Sequence, residues 1–403
     1  MKQAKQLNEI INVSETKPLT GEDFDNFFVN TDEARGCQPA IMLADFLHNS
    51  RTTPGGILFT GHRGSGKSTE LWRFQQQVKE DYFPVVFSVA KHLDLLNIEY
   101  TDLVFLIMEQ VFKAARENNI KIDDDLLHNI LKWVEDTTEI KTSDKNSGVE
   151  VEAGAAPPKL LSALFLRITG ILKYSSEIKK EIRLKIKPRI NQLIERCNHL
   201  LGIMNRHLLE KGKRPLVIVE DLDKINISSA REIFCENPQT LAQLDTHIIY
   251  TVPIFILYSR EMALLRGNFA RTEVLPMIKV KEKNSGKIFQ PGFSAVKEIL
   301  YKRIDPSILR EDAIRFMFKK SGGSLNDIFA MLQDGALAGL RQQDIFDLEL
   351  AKTGCNRIKR FYEMAISGSP ELDIQPEQYL KKLKQIYRSK TKKISADKIT
   401  MDL

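Results

Sequence analysis

No stretch of the 403-residue sequence approaches the ~18 consecutive apolar residues that a membrane-crossing helix needs, so no membrane partner is expected. The first residues, Met-Lys-Gln-Ala-Lys-Gln-Leu-Asn-Glu, hold no apolar core of the signal-peptide kind, which points to the cytoplasm. Cysteine is scarce: Cys37, Cys197, Cys235 and Cys355 stand too far apart for the paired spacing of zinc sites and redox motifs. The seven histidines show no zinc spacing either. Fixed-period repeats and low-complexity tracts are missing, which excludes a solenoid.

The composition that is present is ordinary for a soluble globular chain, with 42% hydrophobic and 28% charged residues. The length calls for two or three structural units rather than one core. A net charge of +6 is concentrated in two stretches, 179–189 and 381–393. These are candidates for contact with the phosphates of DNA or RNA, against the alternative of solvated helix surface. Few aromatics interleave with the charges, so base stacking is not expected and any such contact would weaken with salt.

Short apolar runs rich in β-branched residues recur at 56–60, 84–89, 216–219 and 247–252, and each reads as a buried strand. A fifth candidate, 273–280, is interrupted by Pro276. Helical patterns at 68–79 and 100–117 lie between strands, and that alternation implies a parallel sheet covered by helices. From 119 to 213 the alternation stops. A polar loop, 137–158, precedes a helical stretch, 159–210, which Pro188 should divide by removing a helical hydrogen bond and crowding the preceding turn. This segment is expected to be a mostly helical insertion. After 293 the pattern is wholly helical, at 295–303, 310–320, 325–340 and 347–365, and a basic helix at 379–388 leads into a polar tail.

Gly61-His62-Arg63-Gly64-Ser65-Gly66-Lys67-Ser68 matches the phosphate-loop pattern and lies, as that motif requires, between a strand and a helix. Glycines allow tight turns and a close approach of backbone amides to phosphate oxygens. The helix beginning near Lys67 adds unpaired N–H groups and a positive dipole end. Lys67 supplies charge for the β- and γ-phosphates and the Ser68 hydroxyl a ligand for magnesium, with Thr69 completing the nucleotide-binding set. ATP and Mg2+ are the cofactors this implies.

A carboxylate on a neighbouring strand is needed to hold the metal, and another to orient attacking water. Four apolar residues, 216–219, end in Glu220-Asp221, with Asp223 close behind. In the usual register Glu220 serves the magnesium shell and Asp221 polarises water; the roles can also be exchanged. Thr251, leaving a strand before Val252-Pro253, stands where a γ-phosphate sensor is sought, although a threonine before a turn is also ordinary turn chemistry. Lys67, Asp221, Glu220 and Thr251 form the candidate catalytic set. Arg260, Arg266 and Arg271 are candidates for an arginine acting in trans.

With these residues in place the chain resembles the AAA+ and STAND branch of P-loop ATPases, especially the origin-recognition-like ATPases of prokaryotes, over about 31–365. The sequences AVKEILYKRI at 295–304 and SGGSLNDI at 321–328 look like that group's lid signatures. The resemblance implies an α/β fold, a P-loop NTPase parallel sheet flanked by helices, with a long helical insertion and a C-terminal all-helical lid domain. The divisions expected are an N-terminal segment 1–30, an ATPase core 31–292 carrying the insertion 119–213, a lid 293–370, and a basic helix and tail 371–403. Thr31 to Gly36 is where such ATPases contact the adenine. One departure stands out: related lids place an arginine after the Gly-Gly turn, and this chain has Asn326, so lid sensing is expected to be weak or absent. Arg303 is a candidate to substitute for that arginine, against the favoured alternative that it pairs with a neighbouring acid such as Glu298.

The function implied is an ATP-driven switch or assembly ATPase acting as a homo-oligomer, for a separately encoded effector protein, or both, in settings such as DNA transactions or defence against phage. A nucleic-acid-binding ATPase of the initiator or loader type is the alternative. A phosphotransferase is disfavoured by the adjacent acids, which suit water as acceptor.

Overall fold

The computed structural model describes residues 1–50, 54–138, 164, 167–172, 176–259, 261–341, 343–366, 368, 373–389 and 399–400. Most of the expected polar loop 137–158, the start of the helical stretch that follows it, Arg260 and the last residues of the basic stretch 381–393 lie outside them. The chain divides into two compact units, one formed by Ala44–Thr60 and Gln75–Glu273, the other by Met1–Leu43, Gly61–Phe74 and Val274–Leu403.

The first unit holds the sheet. Its strands are β1 (Gly56–Thr60), β2 (Tyr82–Ser88), β3 (Arg214–Glu220), β4 (His247–Val252) and β5 (Arg271–Val274), in the order β2-β3-β4-β1-β5. The pairings β2/β3, β3/β4 and β4/β1 are all parallel. β1 and β4 are buried throughout and β3 through its apolar centre, the pattern of strands covered on both faces. Ser88 faces Glu220 and Thr60 faces Val252, so the carboxyl ends of β1 to β4 share one edge. The expected fifth strand is shifted. β5 stops at Val274, and the residues around Pro276 run as coil in the other unit, because proline has no N–H to offer a ladder.

Tyr100–Glu117 is a helix buried almost all round, opened by a reciprocal cap between Glu99 and Asp102. Asp124–Thr138 follows it. The expected division at Pro188 is present: Ser176–Ile186 ends in a 3-10 turn, Lys187–Arg189, before the long helix Ile190–Leu209. The first of these helices is clasped by Arg183, which donates to Asp102 and to the Asn97 carbonyl at 2.7 Å. Lys187 reaches Glu99 at 2.8 Å and Glu232 at 3.5 Å. Four cations of the basic stretch 179–189 are thus turned inward or paired, since Lys179 is buried and Lys185 lies 3.3 Å from Glu181 as well; Lys180 and Arg189 stay exposed.

Glu232 sits in a π-helical turn, Arg231–Glu236, where burial and the nearby Glu99 push its carboxyl up to about 7 despite Lys187 and Arg183. The folded state therefore binds this proton more tightly than the unfolded chain, and stability falls as pH rises from the ordinary carboxylate range through about 7. Glu232→Gln is expected to match the parent near pH 5 and to exceed it at pH 8 by about 1–2 kcal/mol, after discounting for partial exposure. Urea denaturation at the two pH values checks this.

The second unit is all helical. Gln290–Arg303, Glu311–Lys320, Leu325–Gly339 and Leu348–Ala365 form the lid domain, and Pro376–Arg388 follows. The first begins before the expected 295 because Pro291 occupies its opening turn, where a missing N–H is not needed. Its core is shared with the start of the chain: Ile10 and Val13, from the helix Glu9–Val13, join Val296, Leu300, Ile314, Phe318 and Leu332. No helix among the described residues is long and apolar enough to cross a membrane.

Candidate nucleotide-binding site

Lys67–Val78 is the helix that the phosphate loop opens. Gly64 and Gly66 take φ of +79° and +93°, left-handed values that other residues adopt at a cost. Successive amides arranged in this way form an anion-binding concavity. A methyl group on Gly64 would lie 2.9 Å from the Asn326 side chain, so this turn also needs glycine for close approach. Asn326 is therefore packed directly on the loop.

Lys67 is 8% exposed, and its ammonium donates to the carbonyls of Gly61 at 2.8 Å and His62 at 3.0 Å. The Ser65 hydroxyl is buried with no hydrogen-bond partner among the described residues, and such an orphan is rare without a ligand or water to satisfy it. His62 and Arg63 are exposed, and Ser68 is half-buried. The Thr69 hydroxyl accepts the Leu19 N–H at 3.1 Å. Two glycines in left-handed turns, a lysine held over the loop and an unsatisfied hydroxyl together fit a bound phosphate chain.

Arg35 was not legible as a site residue, yet it organises this loop. It is buried, and its guanidinium donates to the Ser65 carbonyl at 2.7 Å, to Thr31 Oγ1 at 2.7 Å and to the Pro276 carbonyl. Burial lowers its pKa, while Glu70, Cys37 and Asp32 pull it back. Beside it Arg73 clamps Asp32 through two bonds of 2.7 and 2.8 Å and touches Glu70 at 3.2 Å. Thr31 to Gly36, expected near the adenine, thus contributes a brace beneath the loop. Arg303 does not pair with Glu298. Its guanidinium lies over Phe329 and donates to the Val13 carbonyl at 3.1 Å.

The acidic pair ends β3 in the sheet unit. Asp221 adopts φ +70°, and both its carboxylate oxygens are held: Ser88 Oγ donates to Oδ2, and Lys224 Nζ stands 2.6 Å from Oδ1. Burial would raise its pKa, but Lys224, Ser88 and Lys91 outweigh that and hold it below the usual carboxylate range. Ser88 is a second residue that the sequence did not reveal. Glu220 is half-buried beside it.

Thr251 is 2% exposed, and its hydroxyl donates to the Val219 carbonyl and accepts the Leu222 N–H, both at 3.2 Å. It bridges the two sides of the acidic turn. Thr251→Val keeps the shape and leaves a buried N–H unpaired, which should cost about 1–3 kcal/mol. A lowered urea midpoint with unchanged m-value is the expected result. Of the arginines considered for a role in trans, Arg271 is bound to Glu273 and lies over Phe46, and Arg266 is exposed.

β1, the loop 61–66 and the helix from Lys67 together form a strand–loop–helix unit with the G-x-x-x-x-G-K-S sequence, in a parallel sheet flanked by helices and followed by a helical lid. The chain has the P-loop NTPase fold. Solved structures similar to it include the Aeropyrum pernix ORC1 protein in complex with DNA, 11% identical, covering 90% of this chain and 74% of that one with a TM-score of 0.39. The Aeropyrum pernix ORC2 protein, in ADPNP and ADP complexes, is 10% identical, covering 87% and 73% with a TM-score of 0.43. The Walker-type ATPase PABY2304 of Pyrococcus abyssi is 12% identical, covering 88% and 77% with a TM-score of 0.41. No protein-family model matches the sequence, and no curated protein matches it.

Proposed function

We propose that the chain is an ATP-hydrolysing regulatory or assembly ATPase of the AAA+ and STAND kind. The phosphate loop carries this reading: a buried lysine, two left-handed glycines and an unsatisfied hydroxyl at the start of a helix suit a triphosphate and little else. Gly61 to Thr69 would hold the nucleotide, with Ser68, Glu220 and Asp221 as the magnesium set. The metal would neutralise charge on the β- and γ-phosphates. Asp221, ionised and fixed on both oxygens, would orient the attacking water. Thr251 would act by shaping the turn that carries the two acids.

Asn326 in place of an arginine removes one positive charge from the lid's approach to the loop, which supports slow turnover raised by a partner. Homo-oligomers and a separately encoded effector are the partners proposed, in anti-phage defence or DNA transactions, with the cytoplasm as the setting. Magnesium-dependent release of phosphate from ATP by the purified chain is the expected result. No release at any magnesium concentration, together with no ATP binding, would refute the reading.

One surface favours nucleic acid as a further partner. The helix Pro376–Arg388 exposes Lys381, Lys384 and Arg388 beside Tyr387. Binding of duplex DNA at low salt, lost steeply as salt rises, is expected if this helix meets phosphates. Equal binding after reversal of these three charges would remove that role.

A further inference from the structure

The first residues of the chain wrap the end of the helix Gln290–Arg303. Ala4 forms a parallel bridge with Ile304, its N–H donating to the Arg303 carbonyl at 2.8 Å and its carbonyl accepting from the Asp305 N–H at 2.8 Å. Gln3 donates to the Tyr301 carbonyl at 2.7 Å. Beside this seam lies a cleft of about 830 Å³, with Lys2, Lys5, Asn12, Lys17 and Arg303 in its walls. Small-molecule sites commonly have ~300–1,000 Å³. None of residues 61–69 lines it.

Arg303 sets this cleft apart from an ordinary surface fold. It is 5% exposed, its guanidinium lies 4.6 Å from the Phe329 ring centroid, and its Nε is buried with no hydrogen-bond partner among the described residues. No carboxylate pairs with it among the described residues. A buried guanidinium that forms no ion pair is costly, and burial pushes its pKa down to about 10 against the pull of Asp23, whose carboxylate is held by the Met1 ammonium. The acids in the cleft walls are already engaged. Asp23 takes the Met1 ammonium at 2.7 Å, Glu9 accepts the backbone N–H groups of Lys5 and Gln6 at 2.7 and 3.2 Å, and Glu15 pairs with Lys17.

We infer that this cleft binds a small oxyanion-bearing molecule, a carboxylate or a phosphomonoester, whose negative group lies against Arg303. The planar fork of arginine suits both groups. Phe329 fixes the guanidinium plane from one side and Val13 fixes one of its nitrogens, so the donor is oriented before the ligand arrives. Lys2 and Lys5 add positive charge to the wall.

Titration calorimetry tests this on the full chain carrying Lys67→Ala, which weakens the phosphate loop, with inorganic phosphate and separately with citrate at constant ionic strength, and the signal is assigned to the cleft by its weakening in the cleft variants below. Saturable one-site binding of at least one probe, with a Kd below about 10 mM, is expected. Phosphate alone would mark a phosphomonoester ligand, and citrate alone a carboxylate. Arg303→Met should weaken binding at least about tenfold. Because this residue is also part of the packing, Lys5→Glu, at an exposed position, serves as the second variant and should weaken binding in the same direction. Failure of both probes to saturate overturns the inference. So does an isotherm unchanged in Lys5→Glu, or in an Arg303→Met protein that still melts cooperatively.

Discussion

Lys67→Ala is expected to lower the affinity for ATP at least ~100-fold, and turnover with it, since each charge-assisted hydrogen bond contributes about 1.5–3 kcal/mol. The lysine is the buried cation over the loop, and in binding a triphosphate its ammonium would trade the Gly61 and His62 carbonyls for phosphate oxygens. Alanine removes that charge and leaves two carbonyls to water. The amides of the loop, braced by Arg35 from below, remain, so weak phosphate binding by the backbone is expected to persist. Calorimetry with a slowly hydrolysed ATP analogue measures the loss. Wild-type affinity in this variant would mean that the nucleotide binds elsewhere.

Asp221→Asn should behave differently, keeping ATP affinity near that of the parent while hydrolysis falls about 10²–10⁴-fold, the range for loss of a positioned base. The amide is isosteric, so the Ser88 contact and the left-handed turn are preserved in outline. What disappears is the negative charge that Lys224 and Ser88 hold ionised. Glu220→Gln is the companion variant: if it, rather than Asp221→Asn, abolishes turnover while leaving binding intact, the two acids have exchanged roles. Single-turnover phosphate release separates these outcomes, and parent-like release in both variants would remove the acidic pair from the mechanism.

The strands and the loop could be read in advance for related reasons. Strands covered on both faces are unbroken apolar runs, as at 216–219, and a phosphate loop is a local pattern whose chemistry lies within eight residues. Pro188 was legible because its effect is confined to its own turn. Arg35 and Ser88 were not, since each acts on residues brought near by the fold: Ser65 and Pro276 for the one, Asp221 for the other. The inward pairing within the basic stretch 179–189 was hidden for the same reason. Its charges look outward in sequence, and only the fold sets Asp102 and Glu99 against Arg183 and Lys187. The run 273–280 looked like a strand by composition, but its proline carbonyl is spent on Arg35.

The division of the chain has a bearing on its synthesis. The sheet unit is complete once residue 273 has been made, whereas the unit containing the phosphate loop draws on Met1–Leu43, Gly61–Phe74 and everything after Val274. A nascent chain emerging from the ribosome can therefore close its sheet while Gly61 to Phe74 still awaits its neighbours, since domains fold as units in the order they are made. Ile10 and Val13 must wait for Val296 and Leu332, roughly three hundred residues later, and contacts of such separation form slowly. Any ability to hold nucleotide would thus arrive last, when the final third of the chain has come into place.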